Sequence, residues 1–489
     1  MQLIKNNEMT KIQDTIFADD NAFFSLLDII EGGQTEFVLV TETSECIFPA
    51  KLALSDNGLF EVSFKVPETM IDKISLEYFS THHVLLQAKD LNILIQNKHI
   101  LNYRESHHKN ADTEILLTID AFGEGLNDAI WNRSKQVAFC SYSKHDYYAN
   151  DTGVLFELTT SKYQSSSWKN CVKLEAEGMV FLLYFLTTDN GRNYLVLKSQ
   201  KEVSHDLFLN VLDSCKIALG LISGYLIADN VWYLSVLPNE HKSLSFRYER
   251  IDESIDNQHP LLDCGLYKNC PKNERMLSAE QFEKLMLLFY NCKEIRRASQ
   301  LLIQAGNVKG VSKGCLAAVA LETIKKKIID NPQTKSIIAD EEVRCNLKNE
   351  LANVINSYKS KIDKSVFEKL VSKLNQIDQQ PNAEQLKTPF EELGIKLSKV
   401  EEYCFNSRNA YLHGSTIKPT NLYKGLDESE LNNMVSNRLI MLTTMLLLNK
   451  CGYEGKVVDW GYTEVIKSRG IENRVDFCNV GNAFRDMRG

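Results

Sequence analysis

Between Thr35 and about residue 250 the chain is built from short apolar runs, and the clearest, Phe60-Glu-Val62-Ser-Phe64-Lys-Val66, alternates apolar and polar positions with period two. That period sets one face of a strand against a core and the other in water. Ser55-Asp-Asn-Gly58 ahead of it supplies turn chemistry. Runs at Thr35–Val40, Val84–Ala88, Asn92–Ile95, Glu114–Ile119, Gln136–Cys140, Val154–Thr159, Met179–Thr187 and Tyr194–Lys198 predict further strands, with Thr188-Asp-Asn-Gly191 as a hairpin loop between the last two. One helix is predicted among them, from about His205 to Leu221, on the spacing of Phe208, Leu212, Ile217 and Leu221.

Near residue 270 the period changes. Ser278-Ala-Glu-Gln281 is a capping box, and Phe282, Leu285, Met286 and Phe289 follow at helical spacing. Further helices are predicted over about Ser312 to Ile328, Glu341 to Tyr358 and Val366 to Ile377. Thr388-Pro389-Phe390-Glu391 reads as an N-cap, a first-turn proline and an acidic third residue, opening a helix whose stripe is Leu393, Leu397, Val400 and Cys404 and which Gly414 ends. Asp427-Glu-Ser-Glu430 caps the last long helix, apolar from Leu431 to Leu448. The predicted fold class is α+β: a β-rich region over 1–270, of one large or two smaller units, an all-α bundle over 271–455, and a tail over 456–489.

Composition alters this picture little, but charge divides it. At 44% hydrophobic and 25% charged, the 489 residues suit globular domains rather than a disordered chain. Met1 to Cys270 carries 23 basic and 37 acidic residues, a net −14, whereas Pro271 to Gly489 carries 33 and 27, a net +6. The halves are suited to different partners. No apolar run reaches the ~18–20 residues of a membrane-spanning helix. Met179–Leu186, Ile217–Ala228 and Leu439–Leu448 read instead as buried strand or helix. No export signal is legible at the start, so a cytoplasmic location with reduced thiols is expected for the twelve cysteines, most of them small core residues.

One constellation stands above this background: Arg408-Asn409-Ala410-Tyr411-Leu412-His413-Gly414, at the end of a predicted helix. Asn409 and His413 are four residues apart and share a face. A histidine in the last turn meets the negative end of the helix dipole, which favours its protonated form by ~0.3–1 kcal/mol. Arginine offers phosphate oxygens a planar fork of donors. Such groups suit RNA cleavage without metal, in which a base takes the ribose 2′-hydroxyl proton and an acid protonates the leaving 5′-oxygen. One histidine does not serve both roles at once, but two copies facing across a dimer would. The competing reading pairs Arg408 with Glu401 or Glu402, has His413 cap carbonyls, and makes Glu391, Glu392, Glu401 and Glu402 a solvated face.

An Arg, a polar residue, three more residues and then His near the end of a helix in a bundle resembles the HEPN ribonuclease motif of Arg, four to six residues, then His. The form Arg-Asn-x-Tyr-Leu-His-Gly resembles the ApeA-like branch, whose β-rich N-terminal region fits the layout of nearly the whole chain. The resemblance implies a HEPN bundle forming a homodimer or higher even oligomer. It implies a metal-independent endoribonuclease with no cofactor, tRNA among its candidate substrates, acting in bacterial antiphage defence by abortive infection. In that frame Arg408 would stabilise the phosphate, His413 would be the acid/base group and Asn409 would orient the site. Ser415 stands where some HEPN toxins carry a modifiable Tyr, so control by that route is not expected. Glu322 would hydrogen-bond Arg408 across the bundle, or else pair with Lys325 or Lys326 one turn on. Arg296, Arg297, Lys325, Lys326 and Lys327 would supply phosphate contacts to RNA. The acidic half would bind a phage-encoded trigger protein and restrain the nuclease. The alternative is a binding module, a helical dimerisation domain without catalysis beside a β-rich ligand- or protein-binding domain.

Weaker signals remain. His259, Cys264 and Cys270 have zinc-like spacings but need a fourth ligand. His82-His83 and His107-His108 diverge on a strand. No Gly-x4-Gly-Lys-Ser/Thr loop occurs, which removes the simplest ATPase reading.

Overall fold

The computed structural model describes residues 20, 23–30, 35–41, 47–55, 58–74, 76–88, 91–106, 112–124, 128–142, 152–155, 158–160, 169–188, 191–236, 243–251, 255–256, 260–262, 272–329, 337–375, 377–378, 382–418, 426–461 and 477–479. The fold is α+β, with the β-rich half first and the helical half after it. The chain divides into two compact units, Met1–Asn307 and Val308–Gly489. His259, Cys264, Cys270 and the pair His107-His108 lie outside the described residues.

Among the described residues the first unit contains a sheet of fifteen strands: β1 (Phe37–Thr41), β2 (Ile47–Leu54), β3 (Phe60–Val66), β4 (Val84–Ala88), β5 (Leu91–Ile95), β6 (Ile100–Ser106), β7 (Thr113–Ile119), β8 (Ala121–Glu124), β9 (Lys135–Tyr142), β10 (Leu158–Thr160), β11 (Lys169–Ala176), β12 (Met179–Thr187), β13 (Asn193–Ser199), β14 (Asn230–Val236) and β15 (Ser243–Arg250). Their order is β10-β11-β12-β13-β9-β14-β15-β8-β5-β4-β1-β2-β3-β7-β6. The alternation read at Phe60–Val66 is realised as buried Phe60, Val62, Phe64 and Val66. β13 is buried at every position, as a strand covered on both faces must be. Aromatic residues hold the core: Phe23 stacks on Phe139 at 3.8 Å, and Phe60 meets Tyr248 edge-on at 4.8 Å.

Helix α1 (His205–Ser223) starts at Ser204, whose side chain accepts the Leu207 N–H, and ends at Gly224. Gly224 takes φ +74°, which a residue with a Cβ adopts at a cost. α2 (Ala279–Asn291) opens with the capping box of Ser278 and Gln281, and α3 (Lys293–Asn307) follows. Both pack on α1. α2 and α3 therefore belong to the unit that holds the sheet, and the two units meet at 307/308. Helical periodicity shows that a segment has an apolar face, not which core receives it.

In the second unit α4 (Gly310–Lys327), α5 (Glu341–Ser357), α6 (Lys364–Asn375), α7 (Asn382–Glu392), α8 (Lys399–Leu412) and α9 (Glu428–Lys450) occur in sequence. α9 is buried almost continuously from Leu431 to Leu448 and is packed by α4 and α8. A helix buried all round has no solvated face to spare, and α9 buries Asn432, Ser436, Asn437, Arg438, Thr443 and Thr444 along with its apolar residues. α5 and α6 pack on each other and leave Val343, Val354, Tyr358 and Val366 exposed.

One predicted boundary is wrong. Thr388-Pro389 does not start the helix bearing the motif; it lies in the last turns of α7. That helix closes with the Ile395 N–H donating to the Phe390 carbonyl at 2.7 Å and Gly394 at φ +72°. α8 begins at Ser398, whose capping box with Glu401 repeats the same kind of signal one turn-pair later. Leu393 and Leu397 thus lie outside the helix whose stripe they were expected to begin. The tail also enters the fold: Lys456–Val458 pairs with Phe477–Asn479, and Asp459 is fully buried.

Candidate active site

The motif occupies the C-terminal end of α8, which stops as the sequence predicts. His413 is the C-cap, Gly414 follows at φ +70°, and the Ser415 N–H donates to the Ala410 carbonyl at 2.8 Å. This geometry needs a residue tolerant of positive φ at position 414. Asn409 and His413 are both exposed at this end, one turn apart.

Arg408 differs sharply from them. Its side chain is wholly buried. Nε donates to Glu322 Oε1 at 2.8 Å, while Nη1 donates to Asn409 Oδ1 at 3.1 Å and to the Phe405 carbonyl at 3.3 Å. Nη2 is buried without a hydrogen-bond partner among the described residues. An unsatisfied buried donor costs about 1–3 kcal/mol, more when charged. Arg408 does not pair with Glu401 or Glu402. In this conformation it holds Asn409 by its amide oxygen and joins α8 to α4.

Glu322 combines the two pairings weighed for it. It accepts Arg408 on one oxygen and Lys325 Nζ on the other, at 2.9 Å. Burial is the largest influence and opposes ionisation, but hydrogen bonds from Lys325 and Arg408, with their charges, together outweigh it and hold the carboxyl below its usual range. Lys325 is lowered, first by burial, with Arg408 and Lys326 adding to the effect against Glu322. One carboxylate is shared between two cations. Because the folded value of Glu322 is depressed, its contribution is present above the unfolded carboxylate range near ~4.3 and is lost as pH falls through the folded value. The urea midpoint of the wild type should fall more steeply than that of Glu322→Gln between about pH 6 and pH 3. Parallel slopes would refute this.

The predicted basic group is divided between the two units. Arg296 and Arg297 lie on α3 of the first unit, where Arg296 reaches the Asn210 carbonyl and side-chain oxygens at 3.4 Å. Lys325 is buried against Glu322, whereas Arg297, Lys326 and Lys327 are exposed.

Three supports of the motif were not singled out from the sequence. Tyr411 is fully buried, donates its hydroxyl to the Asn432 carbonyl at 2.9 Å and accepts from Ser436 Oγ at 3.1 Å. Gly314 of α4 lies so close that a Cβ there would come 2.5 Å from the Tyr411 ring. A glycine inside a helical pattern was the available signal. The third is a buried charge cluster: Arg438 Nη1 donates to Asp459 at 2.7 Å, and Nη2 to Glu401. Glu401 is therefore core, not solvated face, while Glu391 and Glu392 are exposed as expected. Among the described residues no group of three or more potential metal ligands occurs, and no described helix is long and apolar enough to cross a membrane.

No family of known proteins, no curated protein and no solved structure matches the chain.

Proposed function

We propose that the second unit is a metal-independent endoribonuclease of the HEPN type, working in the cytoplasm as a homodimer and cleaving RNA, with tRNA as the first candidate. The observation that carries this reading is the hydrogen-bonded chain Glu322–Arg408–Asn409, which ends at an exposed Asn409 one helical turn from an exposed His413. It gives an exposed acid/base group a polar neighbour held from behind. In the reaction one histidine takes the 2′-hydroxyl proton, the oxygen attacks the adjacent phosphorus, and the 5′-oxygen leaves with a proton from the second copy's histidine. The products are a 2′,3′-cyclic phosphate and a 5′-hydroxyl. Arg408, being buried, acts through Asn409, whose amide oxygen it holds. Abortive infection as the setting, and restraint by the first unit until a phage-encoded trigger arrives, belong to the same proposal.

Purified protein incubated with total tRNA in EDTA, with infected-cell extract supplying the trigger, is expected to give discrete fragments ending in cyclic phosphate. His413→Ala should lower the rate by at least about 10²–10⁴-fold while the protein stays folded. Full cleavage by His413→Ala would refute the assignment. The complete burial of Arg408 favours a second reading, a non-catalytic binding module in which this arginine is purely structural. Absence of cleavage with and without extract, by wild type and variant alike, would support that reading.

A further inference from the structure

Helices α5 and α6 have almost no core of their own. α5 contains no buried residue and α6 only Leu374, although each carries enough apolar positions to cover two sides. Leu351 and Ile355 of α5, with Phe367, Val371 and Leu374 of α6, are half-buried or buried and mark the sides by which the two helices pack on each other. Asp378, beyond α6, fixes their direction. It meets Lys348 at 2.7 Å and Arg344 at 3.8 Å, near the start of α5. The pair is therefore an antiparallel hairpin, in which Leu347 lies level with Ile377, Glu350 with Lys373 and Val354 with Leu370.

A second stripe on each helix points away from this seam. On α5 it is Val343, Leu347, Glu350 and Val354, and on α6 and just past its end it is Val366, Leu370, Lys373 and Ile377, with the same spacing of four, three and four residues. The six apolar members are between 38% and 56% exposed. On both helices the outward stripe precedes the inward one by a single residue: Leu347, Glu350 and Val354 come before Lys348, Leu351 and Ile355, and Val366, Leu370 and Lys373 before Phe367, Val371 and Leu374. One residue is about 100° of helix. Because the helices run in opposite directions, that same step turns both stripes to one side of the hairpin. The result is a two-helix apolar face with one charged pair of positions across its middle. Glu350 and Lys373 are both exposed and form no ion pair among the described residues.

We propose that this face pairs with the same face of a second copy of the chain, making a four-helix bundle in which α5 of each copy lies on α6 of the other. Spacing of four, three and four residues is that of a knobs-into-holes seam, and a bundle of four helices supplies the core that the hairpin lacks. Charge selects the arrangement. A two-fold axis parallel to the helices sets Glu350 of each copy against Lys373 of the other, whereas an axis across them stacks Glu350 on Glu350 and Lys373 on Lys373. Like charges directly opposed disfavour the second. The interface uses no residue of the Arg408–His413 motif and is independent of the nuclease reading.

Sedimentation equilibrium of the full chain at micromolar concentration is expected to give an even number of copies. Val354→Asp/Leu370→Asp should halve that mass, whatever other interface persists, with the far-ultraviolet circular dichroism unchanged because both positions are exposed within the chain. Glu350→Lys opposes lysine to lysine at both symmetry-related contacts, and Lys373→Glu opposes glutamate to glutamate. Each alone should weaken association by at least about tenfold. In an equimolar mixture of these two variants every contact again joins opposite charges, so association should return as a mixed pair with one chain of each. A wild-type chain of single mass would overturn the proposal and leave the face to a different partner. So would a mass that the aspartate substitutions do not change, or a mixture that associates no better than its components.

Discussion

Glu401→Ala is expected to destabilise the second unit by about 3–5 kcal/mol. Glu401 has no exposure, and one oxygen meets Arg438. Its other oxygen accepts the Ser398 N–H at 2.8 Å and the Ser398 hydroxyl, closing the capping box of α8. Alanine leaves Arg438, itself 4% exposed, with half of its counter-charge. It also removes a cap interaction of about 0.5–2 kcal/mol. Glu401→Gln keeps an acceptor for Ser398 and loses only the charge, so it should lie between wild type and alanine. Urea unfolding followed by far-ultraviolet circular dichroism measures all three. A midpoint for the alanine variant within error of wild type would show that the buried cluster contributes nothing.

Gly314→Ala is the second large effect, and its sign is informative. Helix propensity alone would stabilise α4 by about 1 kcal/mol. Against that, the new methyl would sit 2.5 Å from two Tyr411 ring carbons. The ring has no free direction, because its hydroxyl is fixed to Asn432 and Ser436 at the far end. Overpacking of this kind costs about 1–3 kcal/mol, and more when the neighbour is locked. Tyr411 lies between Arg408 and His413 on α8, so the displacement reaches the motif as well. Loss of stability together with loss of any RNA cleavage is expected, and Tyr411→Leu in the same chain should restore part of the stability. A more stable Gly314→Ala protein would mean that the ring yields freely.

The elements most legible in the sequence were those decided within a few residues. Ser278 with Gln281, Asp427 with Glu430 and Gly414 after His413 each satisfy backbone groups of their own turn, so their meaning does not depend on distant partners. Thr388-Pro389 misled because its pattern is equally local but tolerated at the far end of a helix, and the same kind of cap recurs at Ser398. What was hidden is all long-range. The sequence offers no reason for Glu401 to select Arg438, or for the tail to place Asp459 beside it, because such pairing is fixed only when α8, α9 and the tail converge. The pairing of Glu322 with Arg408 was available only as one of two options, and the structure uses both.

Asp459 gives the cluster a direction in time. Of the three charged residues, Glu401 and Arg438 are synthesised first, and the second acid follows only after α9 and the strand Lys456–Val458 have been made. Folding during synthesis proceeds from the N-terminus, so a nascent chain that already displays Arg408 and His413 still has an arginine buried against one acid instead of two. The helix carrying the motif receives its last support from a residue beyond the bundle. Translation order thereby leaves the buried cluster incomplete until the strand after α9 has been made.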